Sequence, residues 1–176
     1  MISVRHLVLV ALTAAAACTP TPSEPAGGAV QGEAAELWTA DTRTVLTGDA
    51  ARMLARQCSR TSPGPVEDIW TPTDAEADAI EDELILLLAR EMENAGQSPS
   101  PGGYYRQYAG FVIGGRRIIY VNGVDESAVE HDADSQRRFD WRTQPILICD
   151  GGTITFGVEY DPATRQFSNF AFNGSV

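Results

Sequence analysis

Apolar positions along this chain change period once, from helical spacing to alternation. Ala77, Ile80, Leu84, Leu87 and Leu88 recur at three and four residues and predict one long helix with a buried stripe. Ile85 and Leu86 widen that stripe, as suits a helix lying on a sheet. The start is marked twice: Thr71 with Asp74, and Thr73 with Glu76, both have capping-box spacing, and Pro72 fits a first turn. Glu76, Asp78, Glu81, Asp82 and Glu83 crowd the first half, where the helix dipole favours negative charge, and read as a solvated face. Gly96, after Asn94 and Ala95, suits a left-handed cap.

Beyond Gly96 the pattern is that of antiparallel strands. Tyr104 to Ile113 and Arg116 to Asn122 flank Gly114-Gly115, a two-residue hairpin signal that sets Phe111 opposite Ile118 and Ala109 opposite Tyr120. A second hairpin is expected from Pro145 to Asp150 and Thr153 to Asp161 around Gly151-Gly152. It places Leu147, Cys149, Ile154, Phe156, Val158 and Tyr160 on one face, with Cys149 toward the core. Asp161-Pro162-Ala163-Thr164 reads as a turn, and Phe167 to Phe172 as a last strand. Upstream, Leu37 to Leu46 holds a short strand. A short helix starts at Gly48-Asp49 and carries Cys58 near its end, and Ser62-Pro63-Gly64-Pro65 breaks the chain. The fold class is α+β: N-terminal helices, then one long helix on a meandering antiparallel sheet of about five strands. The layout resembles a cystatin-type helix on a sheet, a likeness of shape that carries no function.

The N-terminus has a different character. Arg5 and His6 precede an apolar run, Leu7 to Leu12, which is too short for a membrane-spanning helix of about 20 residues. Thr13 and four alanines then lead to Cys18. The pattern resembles a bacterial lipoprotein signal, and implies removal of residues 1–17 and lipid attachment at Cys18. Lipid on Cys18 then makes the membrane the first partner. Thr19, by resemblance to enteric lipoproteins, implies the outer membrane. Ala15-Ala16-Ala17 also fits the cleavage site of an ordinary secretory signal, which would leave a periplasmic or secreted protein. Residues 18–35 contain Pro20, Pro22, Pro25 and Gly27-Gly28 with few large apolar side chains, and read as a tether. Residues 36–176 are long enough for one globular domain with a sizeable core.

Lipidation of Cys18 leaves Cys58 and Cys149, an even pair in an exported chain, and predicts a disulfide between them. The net charge is −11 and every basic residue is arginine. That balance argues against nucleic acid and against attraction to anionic lipid, and the lack of lysine removes Schiff-base chemistry.

Catalytic and metal motifs are not found. The mature chain keeps one histidine, His131, inside the acidic segment Asp125 to Asp134, and reads as an exposed loop residue. Glu130, His131, Asp132 and Asp134 lack the glycine and spacing of a calcium loop and the second His or Cys of a zinc site. No catalytic residue, metal site or cofactor is assigned. The segment most suggestive of recognition is Tyr104-Tyr105-Arg106-Gln107-Tyr108: on a strand Tyr104, Arg106 and Tyr108 share a face, and tyrosine and arginine are enriched in binding hot spots. Arg137, Arg138, Trp141 and Arg142 extend such a surface if it is exposed; otherwise the tyrosines belong to the sheet core and Trp141 anchors its loop. The expectation is a non-catalytic envelope lipoprotein that binds a protein or another envelope component. An exported carboxylate-dependent hydrolase and a small-ligand carrier are the alternatives.

Overall fold

The computed structural model describes residues 38–129 and 140–174. The expected first hairpin is its axis. Strands β3 (Tyr104–Ile113) and β4 (Arg116–Asp125) pair along their whole length, with Phe111 opposite Ile118 and Ala109 opposite Tyr120. Gly114 and Gly115 both have positive φ, 58° and 73°, as a tight turn matched to strand twist requires. The free edge of β4 takes β5 (Thr155–Asp161), and β5 takes β6 (Gln166–Phe172). The free edge of β3 is shared. β1 (Arg43–Val45) runs parallel along its first half, and β2 (Asp68–Trp70) antiparallel along its second. The fold is α+β, with a mixed six-stranded sheet. The sheet is not purely antiparallel, since β1 pairs in parallel, and β2 adds a strand beyond the expected ones.

The second hairpin does not form. Residues 145–150 are irregular, because β5 pairs with the long edge that β4 offers. The segment lies over a sheet face instead: Ile146 N donates to Gln107 Oε1 at 2.8 Å, and Gly151 N and Gly152 N donate to Gly174 O. Phe156, Val158 and Tyr160 do face the core, but Leu147 and Ile154 are exposed and Cys149 lies at the surface. Period-two alternation does not distinguish a strand from a covering segment of the same composition.

Helix α1 (Gly48–Leu54) ends before Cys58, which sits in the following loop. The expected long helix is two: α2 (Asp74–Asp78) and α3 (Glu81–Asn94). Thr73 and Glu76 form the capping box. Ala77, Ile80, Leu84 and Leu88 are buried as the spacing predicts, against Tyr104, Tyr108, Ile119, Val121, Phe156 and Val158. The other sheet face is also covered, unlike a single helix on a sheet. Leu46, Ala51 and Leu54 meet Ala109, Phe111 and Tyr120 there. Val124, Val129, Trp141 and Ile146 form a separate cluster.

Cys58 and Cys149 are joined by a disulfide, Cα atoms 5.1 Å apart, that ties together the two irregular segments of this second cover. Beneath them Arg60 donates to the Tyr120 hydroxyl (3.0 Å), to Asn173 Oδ1 (2.7 Å) and to Asn122 Oδ1. Burial pulls the Arg60 guanidinium below its ordinary value.

Candidate functional site

The surface expected from Tyr104, Arg106, Tyr108 and Trp141 does not exist. Tyr104, Arg106 and Tyr108 share a face, as alternation predicts, but α3 lies on that face; Arg106 and Tyr108 are wholly buried and Tyr104 is 3% exposed. Trp141 is on the opposite face, edge-on to Tyr105 with ring centroids 4.8 Å apart. The Trp141 ring is buried with Val124 and Ile146, and its backbone carbonyl accepts from Gln107 Nε2 at 2.6 Å, so Trp141 anchors its loop.

Burial of Arg106 is compensated from three segments. Its Nε donates to Glu81 Oε1 at 3.1 Å and its Nη2 donates to Glu81 Oε2. Nη1 reaches Thr42 Oγ1 (2.6 Å) and the Tyr104 carbonyl (2.9 Å), and the guanidinium lies 4.2 Å from the Trp38 ring centroid. Tyr108 OH also donates to Glu81. Glu81 is therefore not part of the solvated helix face: the turn at Ala79 and Ile80 between α2 and α3 puts its carboxylate in the core. Burial first, and the Glu81 charge second, push the Tyr108 hydroxyl well up. Paired charges and filled donors give this cluster a structural role.

A concave site lies elsewhere, where the sheet ends. The start of β4, the β5–β6 turn, the end of β2 and α2 enclose a half-open groove of about 450 Å³, lined by Trp70, Glu76, Arg116, Arg117, Asp161 and Pro162 among others. Its construction begins at Gly110, the cross-strand partner of Trp70. A methyl group at Gly110 would lie 2.6 and 2.7 Å from Trp70 Cδ2 and Cε2. Only glycine lets the indole lie flat on β3. Trp70 Nε1 donates to the Phe111 carbonyl at 3.1 Å and fixes the ring. The Arg117 guanidinium covers the indole, 3.6 Å from the centroid. Such a stack is worth about 0.5–1 kcal/mol at an exposed site.

The two carboxylates of the groove are committed. Asp161 is buried and accepts from Arg116 Nη1 (2.8 Å) through Oδ2 and from Ala163 N (2.9 Å) through Oδ1, which closes the expected turn. Glu76 Oε2 accepts from Thr73 N (2.8 Å) and Thr73 Oγ1 (3.0 Å). The Thr73 backbone N–H holds the Glu76 carboxyl below its usual range, with Arg117 a lesser contribution. Among the described residues Arg117 makes no ion pair within 4.0 Å and no side-chain hydrogen bond. Among these residues its donors therefore have no partner.

Sequence reading missed this site. Trp70 sits in a three-residue strand between Pro65 and Pro72, too short to show a period, and the stack needs the β2–β3 register. The adjacent Arg116-Arg117 pair reads in the sequence only as the start of a strand. Among the described residues no three of His, Cys, Asp and Glu converge as metal ligands. Cys18, the part of the acidic segment from Glu130 to Asp134 with His131, and Arg137 and Arg138 lie outside the described residues. Among the described residues no helix is long and apolar enough to cross a membrane. No family model matches the chain, and no curated protein or solved structure is significantly similar to it.

Proposed function

We propose that this chain is a bacterial envelope lipoprotein, anchored by lipid on Cys18 in the outer membrane and facing the periplasm, whose domain is a non-catalytic binding module. The anchor rests on the apolar run, the alanines before Cys18 and the Pro- and Gly-rich tether behind it. The Cys58–Cys149 disulfide is in keeping with export. The single observation that carries the binding role is the groove, in which an arginine whose donors have no partner among the described residues lies over the Trp70 ring. Tryptophan and arginine dominate the energetics of recognition surfaces. The binding surface is thus moved from the buried Tyr104–Tyr108 strand to the end of the sheet, and its partner is a protein or another envelope component.

Two measurements test this. The intact mass of protein extracted from host membranes should begin at Cys18 and carry acyl groups; an unlipidated mass in the soluble fraction would overturn the anchor. In-cell crosslinking from a photoreactive residue at Ala163, on the groove rim, should trap a discrete envelope partner, and Arg117→Gln should remove that adduct. Crosslinks unchanged by Arg117→Gln would overturn the groove as the binding surface.

A further inference from the structure

Independently of the groove, we infer that the Cys58–Cys149 disulfide is a site of thiol–disulfide exchange with a dithiol, and that its reduction lifts the cover from Arg60 while the α3 side of the domain stays folded. Cysteine is among the most buried residue types, yet both of these are exposed, and exposure to solvent is what exchange requires. The bridge is also the direct tie between the two segments of the cover. Among the described residues no hydrogen bond or ion pair joins residues 55–64 to 144–151. Their apolar side chains belong to different clusters: Ala55 packs with Leu46 and Phe111, whereas Ile146 and Ile148 pack with Val124 and Trp141.

The layer beneath the bridge favours an open state once the bond is broken. Asn122 and Asn173 are buried, and each holds both segments. Their Oδ1 atoms accept from Arg60, and their Nδ2 atoms donate to the Ile146 and Ile148 carbonyls. The guanidinium lies close on β5, where a Cβ at Gly157 would come 2.5 Å from Arg60 Nε and 2.9 Å from Ser62 Oγ. Among the described residues it has no carboxylate within 4.0 Å. Ser59 Oγ, Ser62 Oγ and Thr155 Oγ1 are buried and make no hydrogen bond among the described residues. A charge without a counter-ion and hydroxyls without partners cost free energy on burial, which water returns when the cover lifts. None of these residues belongs to the cluster beneath α3, so the two faces of the sheet open separately.

In the exchange, a thiolate of the dithiol attacks one cysteine sulfur and the sulfur–sulfur bond breaks, leaving a mixed disulfide and one cysteine thiolate. The second thiol of the reductant, deprotonated, then displaces the other cysteine and closes a cyclic disulfide. Two electrons and two protons pass from the dithiol to the protein, which ends with two thiols. The test uses the full-length purified protein without denaturant, and dithiothreitol as the probe. Iodoacetamide trapping and peptide mass should find Cys58 and Cys149 alkylated after reduction, and neither after reoxidation with oxidised glutathione. Phenylglyoxal labelling of arginine, mapped the same way, reads the cover. Arg60 in the double variant Cys58→Ser with Cys149→Ser should label about tenfold or more faster than in the oxidised protein. Arg106, wholly buried under α3, is the internal control and should stay unlabelled in both. Cysteines that are alkylated only in denaturant would overturn the exchange site. Equal labelling of Arg60 in the two forms would overturn the lifting of the cover. Labelling of Arg106 together with Arg60 would show that the whole fold depends on the bridge, and would overturn the inference as well.

Discussion

Gly110 lies directly beneath the indole of Trp70, its partner across the β2–β3 ladder, and that contact decides the shape of the groove. A Cβ at this position would also come 2.5 Å from the Trp70 carbonyl, a backbone atom that has no rotamer to give. Gly110→Ala should therefore displace β2 as well as the ring. The expected cost is about 1–3 kcal/mol, the usual range for overpacking a well-filled site. Urea unfolding of the variant measures it, and an unchanged midpoint would show that β2 lifts away freely.

Glu81 is the counter-ion for a fully buried guanidinium, and its removal has a different signature from its replacement in a pair. Glu81→Ala leaves Arg106 charged in the core and Tyr108 without its acceptor; a loss of about 3–5 kcal/mol is expected. Glu81→Leu with Arg106→Met removes both charges and should recover most of that loss. Urea unfolding of Glu81→Leu, Arg106→Met and the double variant closes the cycle that separates the two cases. If the double variant is as unstable as Glu81→Ala, the Thr42 and Trp38 contacts of Arg106 carry more than its ion pair.

These two clusters mark where sequence reading holds and where it stops. The stripe Ala77, Ile80, Leu84 and Leu88, the Thr73–Glu76 cap and the Gly114-Gly115 hairpin are local features, encoded within a few residues of one another, and all are present. The face shared by Tyr104, Arg106 and Tyr108 is also local and was legible. What covers that face is not, since it depends on α3 returning over β3 with Glu81 in place to meet Arg106. The absent second hairpin has the same origin. Residues 145–150 alternate like a strand, but competition for the edge of β4 is settled by β5, and no local pattern encodes that contest. The groove joins residues from positions 70, 76, 117 and 161, whose proximity exists only after four strands have taken their register.

The Cys58–Cys149 bridge spans 91 residues and ties the two segments that shield Arg60, Asn122 and Gln107. Replacing both cysteines by serine should cost about 2–4 kcal/mol, with the unfolded chain gaining most of the freedom that the bridge withholds. The effect should be local before it is global. Hydrogen exchange should rise around residues 57–64 and 144–151 under conditions where amides in β3 and β4 stay protected. Uniform loss of protection throughout the sheet would show that the bridge holds the whole fold rather than its second cover.

Alkaline pH should act on this fold through its buried tyrosines. Burial is the first cause that raises Tyr104, Tyr108 and Tyr120, with the Asp125 charge adding to the shift at Tyr104, which reaches about 12. Each of these groups has a folded value above its unfolded value near 10. Their contribution is therefore fully present below pH 10 and is lost as pH rises through the folded values. For Tyr104 that window is from about 10 to about 12. Stability measured by urea unfolding should fall steadily across it. Tyrosinate absorbance of the native protein should lag that of the urea-unfolded chain, with the delayed part appearing together with loss of structure. Tyr104→Phe should remove part of the pH dependence while also losing the hydrogen bond to the Thr153 carbonyl, so the variant starts less stable and declines less steeply. If the native and unfolded titrations coincide, these hydroxyls reach water in the folded protein and the packing of α3 on the sheet is looser than the contacts of Tyr104 and Tyr108 imply.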